Sequence, residues 1–251
     1  MWHADSVAGT TATRDATVDA VTVRLRLLGE FGVTIDGQEW TGPLPARAPS
    51  LLAYVILHSG TAQPRQRVAQ LLWPDSTDGQ ARTNLRNVLH HLRRGAPWLG
   101  KALEIGPTTL RWRDDPRCLV DLAEFVAALE AAAAARVDSA EQRDALREAV
   151  RRYEGDLLPS CPDEWLADER TRLRERHLAA LRHLVALLSI DGPPAAAEAV
   201  AYGRMLVRRD PLTEEYHRLL MAAHRAAGDR AGAVRAYHDC VRVLRQELGI
   251  G

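Results

Sequence analysis

Apolar residues recur along this chain in two different periods, and the change of period divides it. Between residues 21 and 45 the alternation is that of short strands. Val23, Leu25 and Leu27 alternate with Arg24 and Arg26, then Phe31, Val33 and Ile35 alternate before an Asp36-Gly37 turn signal. Pro43 and Pro45 close that section. Ser50 to Ser59 is almost uniformly apolar and reads as a helix ended by Gly60. Pro64 suits the first turn of a second helix, with Val68, Leu71 and Leu72 facing inward and Trp73-Pro74-Asp75 ending it. From Gln80 to Arg94 the apolar positions are Leu85, Val88, Leu89 and Leu92, one face of a helix. Gly95 and Pro97 stop it. Leu103-Glu104-Ile105 and Leu110-Arg111-Trp112 flank Gly106-Pro107-Thr108-Thr109 as a β-hairpin. Strands, three helices and a hairpin, in that order, make a winged helix whose second and third helices form a helix-turn-helix.

Past Asp114-Asp115-Pro116 the pattern is helical throughout, with helices expected near 121–135, 139–153, 162–175 and 177–189. Pro193-Pro194 precedes a further set that carries a weak repeat of 34 residues. Ala199 recurs as Ala233, Val200 as Val234, Leu206 as Cys240 and Val207 as Val241, with Gly203 at the place of Tyr237. Gly228-Asp229 and Asp210-Pro211 supply the turns. That period is the one of tetratricopeptide-like helical hairpins, which stack because a lone hairpin cannot bury its apolar face. The fold class is therefore mainly α with a small β part: a winged helix at 21–114, an all-α tetratricopeptide-like domain at 118–251, and residues 1–20 as a flexible tail.

Charge sharpens the third helix. The whole chain balances at zero, yet residues 80–113 hold Arg82, Arg86, Arg93, Arg94, Lys101, Arg111 and Arg113 against Glu104 alone. At about 100° per residue, the face opposite the apolar stripe carries Thr83, Asn87, His90 and Arg94, flanked by Arg82 and Arg86. Such a confined basic face is built for a polyanion, and these residue types can meet base edges and phosphates in a DNA major groove. A solvated helix face is the competing reading. Thr108, Thr109, Arg111 and Arg113 on the hairpin, Arg47 before the first helix, and Arg65 and Arg67 at the start of the second are candidates for backbone phosphate. Adjacent His90-His91 diverge by about 100° and make a poor metal pair.

Cys118, Cys161 and Cys240 show neither disulfide framework nor zinc spacing, which fits a reducing cytoplasm. No apolar run approaches the roughly 20 residues of a membrane span, so no membrane partner is expected. No phosphate loop, dinucleotide fingerprint, zinc-protease or nucleophile-elbow motif occurs, so neither an enzyme nor a cofactor is indicated. Trp73, Trp112, Trp165 and Tyr237 are expected to pack, and Cys240 to be a small core residue. Asp168-Glu169 and Glu214-Glu215 read as solvated faces.

The ordered segments LRLLGEFGVTIDG (25–37), LLW (71–73), ARTNLRNVLHHLRR (81–94), VDLAEF (120–125), YEGDLLP (153–159), EWLADERTRLRERHLAAL (164–181), DPLTEEYHRLLMAAHRAAGDRAGAVRAY (210–237) and LRQELG (244–249) resemble one family. The first half is similar to the OmpR/PhoB-type winged helix and the second to the bacterial transcriptional activator domain. Together they resemble the Streptomyces antibiotic regulatory proteins. The resemblance implies a transcriptional activator of antibiotic or other secondary-metabolite genes. It implies binding to direct repeats in double-stranded promoter DNA, usually as a dimer, and engagement of RNA polymerase through its sigma or alpha subunits at the nucleoid. The segment WPDSTDGQAR is closer to long members with ATPase and further repeat domains, so the N-terminal part of a larger regulator is one alternative. A protein-interaction adaptor using its helical repeats is another.

Overall fold

A computed structural model describes residues 22–100 and 102–249; the expected tail at 1–20 lies outside them. Strands β1 (Val23–Arg26) and β2 (Gly32–Ile35) pair antiparallel with Leu25 opposite Val33. Asp36 and Gly37, at φ 50° and 79°, turn the chain into β3 (Gln38–Glu39). Both turn residues take positive φ, the geometry of a two-residue hairpin whose twist matches its strands. The expected alternation holds: Val23 and Leu25 are buried, Arg24 and Arg26 exposed.

Helix α1 (Ala48–Leu57) is buried along nearly its whole length, which is what an all-apolar helix requires. It begins two residues earlier than the pattern predicted, because Pro49 fits the first turn. Pro64 lies just ahead of α2 (Arg65–Leu72) rather than inside it, in a two-residue strand β4 (Gln63–Pro64). Leu71 is only half-buried; Val68, Ala69 and Leu72 face the core. Helix α3 spans Asp78–Gly95 and a 3₁₀ turn follows at Pro97–Gly100. Strands β5 (Leu103–Ile105) and β6 (Thr109–Trp112) form the wing, and β4 joins β6 to make a three-stranded sheet. Sequence periodicity could not show β4, since two residues carry no alternation.

Strand β7 (Cys118–Val120) returns to pair in parallel with β1, giving the order β3-β2-β1-β7. Helices α4 (Asp121–Ala134) and α5 (Ala140–Arg152) follow. Asp121, the first residue of α4, is buried and accepts from the backbone N–H groups of Leu27, Leu28 and Leu122 at 2.7–2.9 Å. Across the same seam, Leu158 N donates to Leu27 O at 2.9 Å. The segment past α5 is tied down by Arg170, which donates to the carbonyls of Leu157, Leu158 and Cys161. One hydrophobic core consequently runs from Val23 to Leu173, spanning the chain on both sides of residue 116.

The two helices expected at 162–175 and 177–189 are one, α6 (Trp165–Ile190). No Gly or Pro interrupts that stretch, so the backbone ladder continues through the polar run that breaks the apolar stripe. Helices α7 (Pro193–Arg209), α8 (Glu214–Ala226) and α9 (Arg230–Leu248) complete the stack around a second core. Gly203 is the tight spot between α7 and α8: a Cβ there would sit 3.1 Å from a Leu220 methyl. Tyr237, its counterpart 34 residues on, was expected to pack but is 53% exposed. Trp112 is buried, Trp73 half-buried, and Trp165 joins the halves by donating to Ser50 Oγ at 3.1 Å and meeting Tyr54 edge-on.

Candidate nucleic-acid interface

Helix α3 owes its placement to a buried stripe of Ala81, Leu85, Val88, Leu89 and Leu92. Thr77 caps its start by accepting from Gln80 N, with Asp78 in the first turn and Arg93 and Arg94 in the last, as the helix dipole favours. The other side is exposed and carries Arg82, Thr83, Arg86, Asn87, His90 and Arg94 together. Among the described residues, Arg86, Asn87 and Arg94 make no side-chain hydrogen bond or ion pair. Arg82 Nε and Thr83 Oγ1 donate only to carbonyls one turn back, at Asp78 and Gly79. Their charged and polar ends remain available to a ligand. His90 touches His91 edge-on at 5.6 Å, and among the described residues no group of ligands could hold a metal.

The wing is fixed to this helix pair from both sides. Arg65 N donates to Thr108 O at 2.8 Å, and its guanidinium reaches the carbonyls of Gly106 and Pro107 at 3.3–3.4 Å. Arg93 donates to Ile105 O at 3.2 Å. A cleft of about 390 Å³ between α2, α3 and the wing turn gathers Arg65, Arg82, Arg86 and Thr108. Partial burial, then the nearby charges of Arg86 and Arg93, pull the Arg65 pKa down. That cluster of like charges is the electrostatic signature of a surface waiting for an anion.

Not every expected contact residue is equally placed. Arg67 is exposed on α2 with no partner among the described residues, Thr109 and Arg111 are half-buried on β6, and Arg113 is held by Glu104 at 2.8 Å. Arg47 pairs with the buried Asp163, so the arrangement gives it a joint between the halves rather than a free charge. Sequence reasoning passed over Gln80, Asn84 and Arg93. Gln80 and Asn84 are linked at 2.8 Å near the start of α3, where a groove-bound helix points its first turns at bases. The one-turn spacing of two amides on the polar side was the signal that could have found them.

The winged helix leads into a helical stack whose sequence decides the family. The family model for the bacterial transcriptional activator domain matches residues 120–251, just over half of the chain. The chain belongs to this family. It is a transcriptional activator of the Streptomyces antibiotic regulatory protein type. The regulatory protein AfsR of Streptomyces coelicolor is 28% identical over 229 residues, covering 91% of this chain and 23% of that protein. AfsR of Streptomyces griseus is 28% identical over 235 residues, covering 94% and 24%. The chain thus spans about a quarter of the length of these curated relatives. The solved structure of Mycobacterium tuberculosis EmbR in complex with a low-affinity phosphopeptide shares the fold, with TM-score 0.65 at 23% identity. That match covers 92% of this chain and 62% of EmbR. Among the described residues no helix is long and apolar enough to cross a membrane.

Proposed function

We propose that this activator binds promoter DNA in a sequence-specific way, with α3 in the major groove and the β5–β6 wing along the adjoining backbone. The observation that carries the reading is the exposed face of α3, where Arg86, Asn87 and Arg94 stand unpaired beside a wing pinned by Arg65 and Arg93. In this scheme Arg86, Asn87, Thr83 and Gln80 meet base edges, and Arg82, His90 and Arg94 complete the face. Arg67, Thr108, Thr109, Arg111 and Arg113 flank it toward phosphate. Arg65 serves by shaping the wing, and Arg47 by its ion pair with Asp163.

The division at 21–114 and 118–251 into a DNA-reading part and a tetratricopeptide-like part belongs to the same proposal. So do binding to direct repeats as a dimer, contact with RNA polymerase, control of a secondary-metabolite cluster and action in the cytoplasm at the nucleoid. Selection of genomic fragments by the purified chain tests it. Enriched fragments should carry paired direct repeats with centres about 10–10.5 bp, or a multiple, apart. Absence of DNA affinity even at low salt overturns it and leaves a protein-interaction adaptor.

A further inference from the structure

The last two helices leave one groove of about 650 Å³ uncovered. On its α8 side lie Arg218, Met221, Ala222 and Arg225, spaced i, i+3, i+4, i+7. On its α9 side Arg230, Ala233, Val234 and Tyr237 repeat that spacing. Each helix therefore offers a stripe with an apolar middle and a basic end. Val234 is 50% exposed and Tyr237 53%, although large apolar side chains on a packed helix are ordinarily covered.

The internal repeat indicates what shape covers them. Val200 and Gly203 occupy the same register one repeat earlier, and both are buried, Gly203 directly beneath Leu220 of the following helix. That following helix, α8, packs on α6 as well as α7. An occupant of the next register would by the same geometry touch both α8 and α9, which are the two walls of the groove. The complementary shape is thus a helix.

Charge fixes its chemistry. Arg225 and Arg230 have no ion pair among the described residues, and Arg218 has only a loose, exposed one with Glu214 at 3.8 Å. No acid lines the groove. A second copy docking on this face by a two-fold axis would set these arginines against each other, which disfavours self-association. We propose that the α8–α9 groove seats an amphipathic α-helix of a partner protein, its apolar stripe on Val234, Tyr237 and Met221 and its acidic flanks on Arg218, Arg225 and Arg230.

The test uses the whole chain and two fluorescein-labelled, lactam-stapled helical peptides that share a leucine stripe at i, i+3, i+4, i+7. One has glutamate flanks and the other lysine flanks, and binding is read by anisotropy. The glutamate helix should bind saturably and the lysine helix at least about tenfold more weakly. Val234→Asp should weaken the glutamate helix by about tenfold or more, the effect of losing a central contact. Arg225→Glu with Arg230→Glu should reverse the preference between peptides. Both positions are exposed, so circular dichroism and promoter-fragment affinity should stay at the parent level, keeping this outcome separate from that of the DNA-binding reading. Equal affinity for the two peptides, or indifference to Val234→Asp, overturns the proposal. So does sedimentation that shows a dimer of the parent chain dissociated by Val234→Asp, which would make a second copy the occupant.

Discussion

The arginines of α3 and those of the helical stack are the same residue in opposite circumstances. Beyond residue 116, eleven arginines reach a carboxylate within ion-pair distance, Arg147 with two of them. On α3, Arg82, Arg86, Arg93 and Arg94 reach none among the described residues, although acids are as abundant in the chain as bases. A zero net charge thus hides a separation: the stack neutralises its cations internally, and the winged helix keeps its own for something outside. Local pairing, rather than total charge, tells which basic residues are disposed to meet a polyanion.

The comparison depends on the halves being held as one body, and the strongest perturbation acts at their seam. Asp121→Ala orphans the buried N–H groups of Leu27 and Leu28. It should lower unfolding stability by about 2–4 kcal/mol, since an unsatisfied buried donor costs about 1–3 and hydrogen bonds to charge exceed neutral ones. Chemical denaturation measures this. If the loss is below about 0.5 kcal/mol, the halves do not share the core that runs from Val23 to Leu173.

Next in size is a pH effect confined to the stack. His177 is fully buried and stacked on Tyr153 at 4.3 Å, and neither ring nitrogen finds a partner. Burial, assisted by the charge of Arg209 and opposed by Asp156, pushes its pKa down from 6.5 to about 4. Between those values the unfolded chain binds a proton that the folded chain refuses. Stability should accordingly be complete above pH 6.5 and decline as pH falls toward 4, by up to roughly 3 kcal/mol. His177→Phe should flatten that difference while retaining the stack. An unchanged pH profile in the variant would assign the acid sensitivity to other groups.

On the winged side the expected loss is in binding instead. Arg86→Ala or Arg94→Ala should weaken affinity for a selected promoter fragment by about 1–3 kcal/mol if the lost contact is to a base, with thermal stability unchanged because both are exposed. Arg67→Ala should weaken all sequences alike and reduce the slope of log affinity against log salt by about 1, the behaviour of a single phosphate contact. Fragments bound equally well by both α3 variants would move the recognition surface elsewhere.

How much of this was legible beforehand follows from what each side chain depends on. The α3 stripe and the β5–β6 hairpin were readable because their periods are local: Leu85 to Leu92 mark one face, and Gly106-Pro107 mark a turn. The burial of Asp121 was not, because its partners lie about 94 residues earlier and no local pattern encodes a parallel return strand. The same limit applies to Arg47 and Arg113. Each reads as a free cation in sequence, and only the fold shows Asp163 and Glu104 beside them. Tyr237 illustrates the converse. A repeat predicts that a position is covered only where a next element sits on it.

The smallest effect bears most directly on the contrast between paired and unpaired arginines. Arg147 lies across α5 and α7, holding Glu198 at 2.8 Å through two nitrogens and Asp144 at 2.7 Å through a third. Those carboxylates raise its pKa, and Arg147 in turn lowers that of Glu198, so both ends agree that the bridge favours the ionised forms. Each partner is about a third exposed, and solvent screening limits the stabilisation accordingly. Arg147→Ala should cost only about 0.5–1 kcal/mol of stability and leave promoter affinity within about 0.3 kcal/mol of the parent. Set beside Arg86→Ala, which should do the reverse, it makes a double dissociation between two arginines of one chain. If Arg147→Ala weakens DNA binding as much as Arg86→Ala does, pairing state does not distinguish the two sets.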